Sequence, residues 1–414
     1  MAGKDKKYDF TRKPKKPNRA LIGIYKRYAP NLRGKKVTIS RIGMENIKPP
    51  YLILPTRTGA IDFAVARRAL SPNLFYSVVS LDAVQERRDA LMRRLGCVAE
   101  GDEKSLAENL LYCAKQDKHS ILLASRSRYS LDGRAQEPPK ELFALAKKLN
   151  LPLVVLRMHG NFLFSSPWNR EEKKTPVFAE LELVATAEQI GGMDGEDFFA
   201  LVKEKSKTDD YAYQRARGIE IDNPRRAKGL HNILYRCPHC LAEHITYSEG
   251  VRIWCASCGK GWQMSELGEI VAEEGETEFS SVPAWVDWEK GKIRERFQNN
   301  AFLYQSEVTV YSLRSASRFL KFGKGKLIQT PQGTTLEYSV NGSPKKLVWG
   351  GEINCVHVGF GDAGDRRKRG KHSFGDYIDL TAEGELLRLS FTGRDRAAKA
   401  AFALAEIARF QNQK

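Results

Sequence analysis

No stretch of this chain stays uncharged for long. The longest run without a charged residue, Ala69 to Leu81, is 13 residues, whereas a bilayer-crossing helix needs about 20 apolar ones. No membrane span is therefore expected. Nor is a secretory leader, because "MAGKDKKYDFTRKPKKPNR" is basic and polar with no apolar core behind it, and the expected compartment is the cytoplasm. The seven cysteines, an odd number, do not make a secreted disulfide framework. Four of them form two tight pairs, and the other three, Cys97, Cys113 and Cys355, read as small buried core residues. Acidic residues are in deficit: 50 Asp and Glu against 68 Lys and Arg leave a net charge of +18.

That charge is unevenly placed. Residues 1–36 hold 13 Lys and Arg against two Asp, a net of +11. A second focus is "DRRKRGKH" at 365–372, within which 366–371 form a basic loop. Patches of this kind attract polyanions, either nucleic acid or an anionic membrane surface. For the loop, a solvated face that aids solubility is an equal reading. Residues 1–19 are lysine-rich with prolines at 14 and 17, and read as disordered. "ALIGIYKRYAPNL" follows as a short amphipathic helix, which either lies on a lipid interface or packs on the next domain.

At 414 residues the chain has room for two to four domains. A basic N-terminal arm occupies 1–35. Over 36–215 apolar runs alternate with helical patterns: "YLILP", "AIDFAVARRAL", "LFYSVVSL", "AVQERRDALMRRLG", "SLAENLLYCAKQ", "SILLAS", "KELFALAKKLN", "LPLVVLRM", "VFAELELVA". Strands alternating with helices predict a layered α/β domain with a largely parallel sheet. Ser105 and Glu108 have capping-box spacing. From 295 to 414 the chain turns to short strands separated by turns such as "NGS" at 341–343, and closes on the helix "RDRAAKAAFALAEIARF". Seven or eight antiparallel strands with a terminal helix outline a pleckstrin-homology-like (PH-like) β-barrel, and other small barrels fit as well.

Between these lies the strongest local signal, over 229–272. Cys237 and Cys240 in "CPHC" are followed after 14 residues by Cys255 and Cys258 in "CASC". Two such pairs set four thiolates at the corners of a tetrahedron, each pair on a tight turn, and a strand-like segment between them makes a zinc ribbon. Four thiolates saturate Zn²⁺ and leave no open position, so the expected metal is structural. His239 and His244 are spare. Some ribbons touch nucleic acid, but most sites of this kind hold a fold together.

Four blocks in order, "PYLILPTRTGAIDF", "MRRLGCVAEGDEKS", "ILLASRSRYSLDG" and "LNLPLVVLRMHG", resemble the bacterial 1-acyl-glycerol-3-phosphate (lysophosphatidic acid) acyltransferase family. The resembling subgroup carries a zinc ribbon and a β-rich C-terminal domain, so the resemblance extends over most of the chain. It implies a glycerolipid-acyltransferase-like layered fold and the formation of phosphatidic acid. In that family the first block carries His-x-x-x-x-Asp and the third reads Phe-Pro-Glu-Gly-Thr-Arg-Ser or Pro-Glu-Ala-Arg-Tyr-Ser. A histidine, made basic by the aspartate, takes the proton of the glycerol hydroxyl that attacks an acyl thioester.

The departures from that pattern fall on the chemistry. The histidine position is Arg57, while Asp62 is kept; the glutamate and proline of the third block fall at Arg126 and Ser125. Arg128, Tyr129 and Ser130 match the block's end, and Lys104 is the nearest counterpart of the second block's arginine. An arginine keeps its proton at any relevant pH, and losing a general base costs on the order of 10²–10⁴ in rate. Arg57, Asp62 and Arg126 thus mark degenerate catalytic positions. Arg57, Arg126 and Arg128, with Lys104 and His159, are the expected ligand-binding set, since guanidinium forks suit phosphate and carboxylate. Local pairing of the arginines with carboxylates such as Asp62 is an equal reading.

These residues support a leading function and two alternatives. The leading one is a catalytically degenerate acyltransferase-fold protein, peripheral on the inner membrane face, that binds an anionic phospholipid or acyl donor. The first alternative is an active O-acyltransferase of phospholipid biosynthesis, with His159 or the substrate supplying the base. The second is a nucleic-acid-binding zinc-ribbon protein, although residues 1–36 offer only Tyr8, Phe10, Tyr25 and Tyr28 for stacking on bases.

Overall fold

Short apolar strands separated by amphipathic helices build the first half of the protein. A computed structural model of the chain describes residues 8–28, 37–56, 59, 61–84, 89–124, 129–139, 141–169, 171–313, 319–351, 355–361, 374–382, 385–393 and 396–413. Two compact units result. Of the described residues, one comprises those within Met1–Ser166 and Thr175–Tyr213, the other those within Pro167–Lys174, Gln214–Arg314 and Phe319–Lys414.

In the first unit, β1 (Val37–Ile42), β2 (Leu52–Pro55), β3 (Phe75–Val79), β4 (Cys97–Ala99), β5 (Ser120–Leu122), β6 (Leu153–His159) and β7 (Val177–Ala185) form one sheet. Its order is β1-β7-β6-β2-β5-β3-β4. Every adjacent pair is parallel except β6 with β7. Successive side chains alternate between two cores. Leu52, Leu54, Val155 and Leu123 pack on one face with Leu110, Leu142 and Phe198. Ile53, Val154 and Leu156 pack on the other with Ile61, Val65 and Phe164. Burial on both faces is why these strands read as continuous apolar runs.

Two expectations for this unit need correction. The helix Glu103–Leu111 is capped by Asp102, whose carboxylate accepts the Ser105 N–H at 2.9 Å, so Ser105 sits inside the first turn and the capping box is not formed. The N-terminal arm, expected to be disordered, is docked along residues 8–22. Pro14, Pro17 and Ile22 are buried, Asn18 N–H donates to the Arg94 carbonyl at 2.8 Å, and Asn109 Nδ2 donates to the Phe10 carbonyl at 2.8 Å. Two prolines remove two backbone donors that an extended segment would otherwise have to satisfy, which makes this docking cheap in hydrogen bonds.

The second unit holds two antiparallel sheets. The ribbon strands β8 (Thr246–Glu249), β9 (Arg252–Cys255), β10 (Gly261–Met264) and β11 (Ile270–Ala272) are ordered β11-β10-β9-β8. A 17-residue helix, Val282–Gln298, capped by Ser281, lies between the two predicted C-terminal domains and places Trp285 against Trp262. The remaining strands are β12 (Tyr304–Leu313), β13 (Leu320–Thr330), β14 (Gly333–Val340), β15 (Ser343–Trp349), β16 (Cys355–Gly359), β17 (Tyr377–Ala382) and β18 (Glu385–Phe391), followed by the helix Arg396–Gln411. Their order is β15-β14-β13-β12-β18-β17-β16, all antiparallel. The strand β13 pairs with β12 along most of its length, with a register shift between Val310 and Tyr311. Asn341 and Gly342, at φ 51° and 82°, close the β14–β15 hairpin as an Asn-Gly turn should.

Candidate functional site

The parallel strands β2, β5 and β6 end at one edge of the first sheet, the edge where open α/β sheets bind ligands. Thr56, just past β2, ties two of these ends together: its N–H donates to the Leu156 carbonyl at 2.9 Å and its hydroxyl accepts the Met158 N–H at 3.0 Å. Asp62 opens the next helix, is 3% exposed, and accepts the Gly59 N–H at 3.1 Å and a hydrogen bond from Asn161 Nδ2. Arg57, Arg126 and Arg128 lie outside the described residues.

Beyond β6 the chain turns sharply through Gly160, at φ 82°, where a Cβ would overlap the Pro176 carbonyl oxygen. Asp210 receives this turn. Fully enclosed, its Oδ2 accepts the N–H groups of Gly160 and Phe162, both at 3.1 Å. Burial, helped by the charges of Asp62 and Asp209, pushes the Asp210 carboxyl up to about 7, against the pull of those two N–H donors. His159 is 8% exposed and stacks on Tyr213 with ring centroids 4.1 Å apart. Its Nδ1 lies 3.8 Å from Asp210 Oδ1 and its Nε2 3.7 Å from Glu180. The loop after β5 joins the same cluster: Ser130 Oγ donates to Asp132 at 3.1 Å and accepts the Gly133 N–H at 2.8 Å, while Asp210 N–H donates to the Gly133 carbonyl at 3.0 Å.

Lys104 stands elsewhere. It lines a cavity of about 400 Å³ between the helices Glu103–Leu111 and Leu142–Leu149, at the end of β5. Most of the wall is apolar (Leu106, Ala107, Leu123, Leu142, Leu145), and its charged residues are Lys104, Lys148, Glu103 and Glu141. The volume falls in the range of small-molecule sites, roughly 300–1,000 Å³. Asp62 and His159 are not among its described walls. Asp62 and His159 are thus joined through the Gly160 turn, and Lys104 belongs to the cavity. Sequence reasoning missed Asp210 and Asn161. Asp210 sits 48 residues beyond Phe162 in a polar "KTDDYA" that carries no motif.

In the second unit the four cysteines converge, with all sulfurs within 4.8 Å of one another. Cys237 and Cys258 Sγ are 3.8 Å apart, and Cys240 and Cys255 Sγ 3.6 Å. Four sulfurs about 2.3 Å from a tetrahedral metal would be separated by roughly 3.8 Å, so the group has the shape to hold a metal ion. Each pair sits on a knuckle in which a following N–H donates back to the first cysteine's carbonyl: Leu241 to Cys237 and Gly259 to Cys255, both at 3.0 Å. Both residues take the left-handed conformation, Leu241 at φ 65° and Gly259 at φ 78°. His239 faces Glu278 at 3.7 Å, and His244 stacks on Tyr235.

Among the described residues no helix is long and apolar enough to cross a membrane. No family model matches the chain, and neither does any curated protein. Among solved structures, the 1-acyl-sn-glycerophosphate (LPA) acyltransferase PlsC from Thermotoga maritima is similar with a TM-score of 0.32 and 15% identity, over 45% of this chain and 79% of that one. A structure of Vav1 inhibited by an allosteric inhibitor is similar with a TM-score of 0.18 and 10% identity, over 31% of this chain and 36% of that one. At TM-scores this low neither likeness assigns a fold or a function.

Proposed function

We propose that the first unit is an acyltransferase-like domain that binds an amphipathic anion, a phosphate-bearing lipid or an acyl donor, without turning it over by the base-catalysed route. The observation that carries the binding is the cavity at the end of β5, with a mainly apolar lining in which Lys104 and Lys148 are the cations beside Glu103 and Glu141. Such a site takes an alkyl chain in its apolar part, gaining about 0.8 kcal/mol per buried CH₂, while the lysines meet the anionic head. Arg57 at the family's base position supports the loss of turnover.

In the second unit the four thiolates would hold a structural Zn²⁺, a metal that suits a closed tetrahedral sulfur site. The seven-strand order and terminal helix support a PH-like reading of the C-terminal region. The protein would work in the cytoplasm, peripheral on the inner membrane face.

Calorimetric titration of the full chain with a short-chain 1-acyl-glycerol-3-phosphate tests the binding. Wild type should bind, Ala107→Trp should abolish binding by filling the cavity, and Lys104→Gln/Lys148→Gln should weaken it at least tenfold. Binding that survives Ala107→Trp would place the ligand elsewhere and sink the proposal.

A further inference from the structure

We infer that the docked N-terminal arm is a preformed cationic strap whose partner is an anionic phospholipid bilayer. This stands on a different surface from the cavity and does not depend on it. Two glycines make the seat. A Cβ at Gly101 would overlap the Phe10 ring, and one at Gly96 would lie 2.7 Å from the Pro17 ring. Arg93, 5% exposed, donates to the Lys13 carbonyl, and Tyr8 OH donates to Asp89 at 3.4 Å. Phe10 beside Gly101 and Pro17 beside Gly96 show that the strap runs antiparallel to β4 (Cys97–Ala99), which among the described residues pairs only with β3 and so ends the sheet.

The buried residues recur at a spacing of three, Pro14 and Pro17, as in an extended three-fold chain. The cations between and beside them turn outward. Arg12, Lys13, Lys15, Lys16 and Arg19 are exposed, and no Asp or Glu occurs between Asp9 and Glu45. Arg12 reaches Asp89 only at 3.9 Å, and Lys13 lies over the Tyr112 ring. Lys15, Lys16 and Arg19 have no ion-pair partner among the described residues. The docking thus spends the strap's apolar groups on the protein and leaves its cations as a fixed row.

The inward turn of the aromatics favours lipid over nucleic acid. Single-stranded nucleic acid needs exposed rings on which bases stack, and Tyr8 and Phe10 are held against Asp89 and Gly101. An anionic bilayer needs only the cations, each adding about fivefold to the affinity.

The test is co-sedimentation of the full chain with vesicles of phosphatidylglycerol and phosphatidylcholine, with pure phosphatidylcholine vesicles and an RNA oligonucleotide as controls, at one salt concentration. Wild type should bind the mixed vesicles, ignore the neutral ones and prefer vesicles to RNA. Lys15→Gln/Lys16→Gln, two exposed substitutions, should weaken vesicle binding about 25-fold with the melting temperature unchanged. Trypsin should cut after Lys15 slowly in the wild type and faster in Phe10→Ala, which empties the seat without touching the sheet core. Equal vesicle binding by the double variant, or tighter binding to RNA, would overturn the bilayer as partner. Equal trypsin rates in wild type and Phe10→Ala would overturn the docked strap.

Discussion

Replacing Asp210 by asparagine should change how stability depends on pH while leaving the local hydrogen bonds in place. Asp210 Oδ2 accepts both turn N–H groups and Oδ1 faces His159 Nδ1 at 3.8 Å. In Asp210→Asn the amide oxygen can take the two N–H donors, and the amide nitrogen can face the imidazole. The wild-type carboxyl titrates near 7 when folded and near 3.9 when unfolded. Between those values the native state holds a proton that the unfolded state has released, so stability falls as pH rises, by up to about 1.4 kcal/mol per pH unit, and levels off above 7. A shift of about three units bounds the total at about 4 kcal/mol. The difference between wild type and variant is the quantity to follow. All six tryptophans lie in the second unit, so unfolding of the first unit is better followed by far-ultraviolet circular dichroism or calorimetry than by fluorescence. Asp210→Asn should gain on the wild type by several kcal/mol between pH 4.5 and pH 8. A difference that stays constant across that range would show that Asp210 is ionised in the native protein, and the argument from burial would fail.

Further tests address the knuckles, the Gly160 turn and the metal. Leu241→Gly should stabilise the ribbon by about 1 kcal/mol in thermal melts, because a leucine at φ 65° carries the left-handed penalty of roughly 1–2 kcal/mol. Gly160→Ala should cost about 3 kcal/mol or more, since the left-handed strain at φ 82° adds to overlap with the Pro176 carbonyl; a near-neutral melt would refute that geometry. Chelation, or Cys237→Ser/Cys255→Ser, should unfold the ribbon, since metal binding of about 10–16 kcal/mol is folding energy in such sites. Emission from Trp254 and Trp262 should then move to the red, and unchanged emission would show a ribbon that stands without metal.

How much of this was legible in the sequence depends on how local the signal is. β2, β5 and β6 were readable because a strand buried on both faces reads as a near-continuous apolar run. The two Cys-x-x-Cys pairs were readable because a knuckle fixes its ligands within four residues. The cap of the Glu103–Leu111 helix was misread because Asp102 and Ser105 both carry capping oxygens, and only the fold decides which backbone N–H turns toward which. The arm was misread because its composition is that of a disordered segment. What orders it, the missing side chains at Gly96 and Gly101, lies some 80–90 residues away. Asp210 was invisible for the same reason: its partners are the backbone of a distant turn, and backbone N–H groups leave no mark in composition.

The central claim is a ligand site without the family's chemistry, and acyl transfer to 1-acyl-glycerol-3-phosphate tests it most directly. The wild-type chain should be assayed beside Arg57→His/Arg126→Glu, which restores both family residues. Silence in the wild type with turnover in the double variant is the predicted result. Turnover by the wild type, at a rate that Arg57→His does not raise, would contradict the account and point to another base.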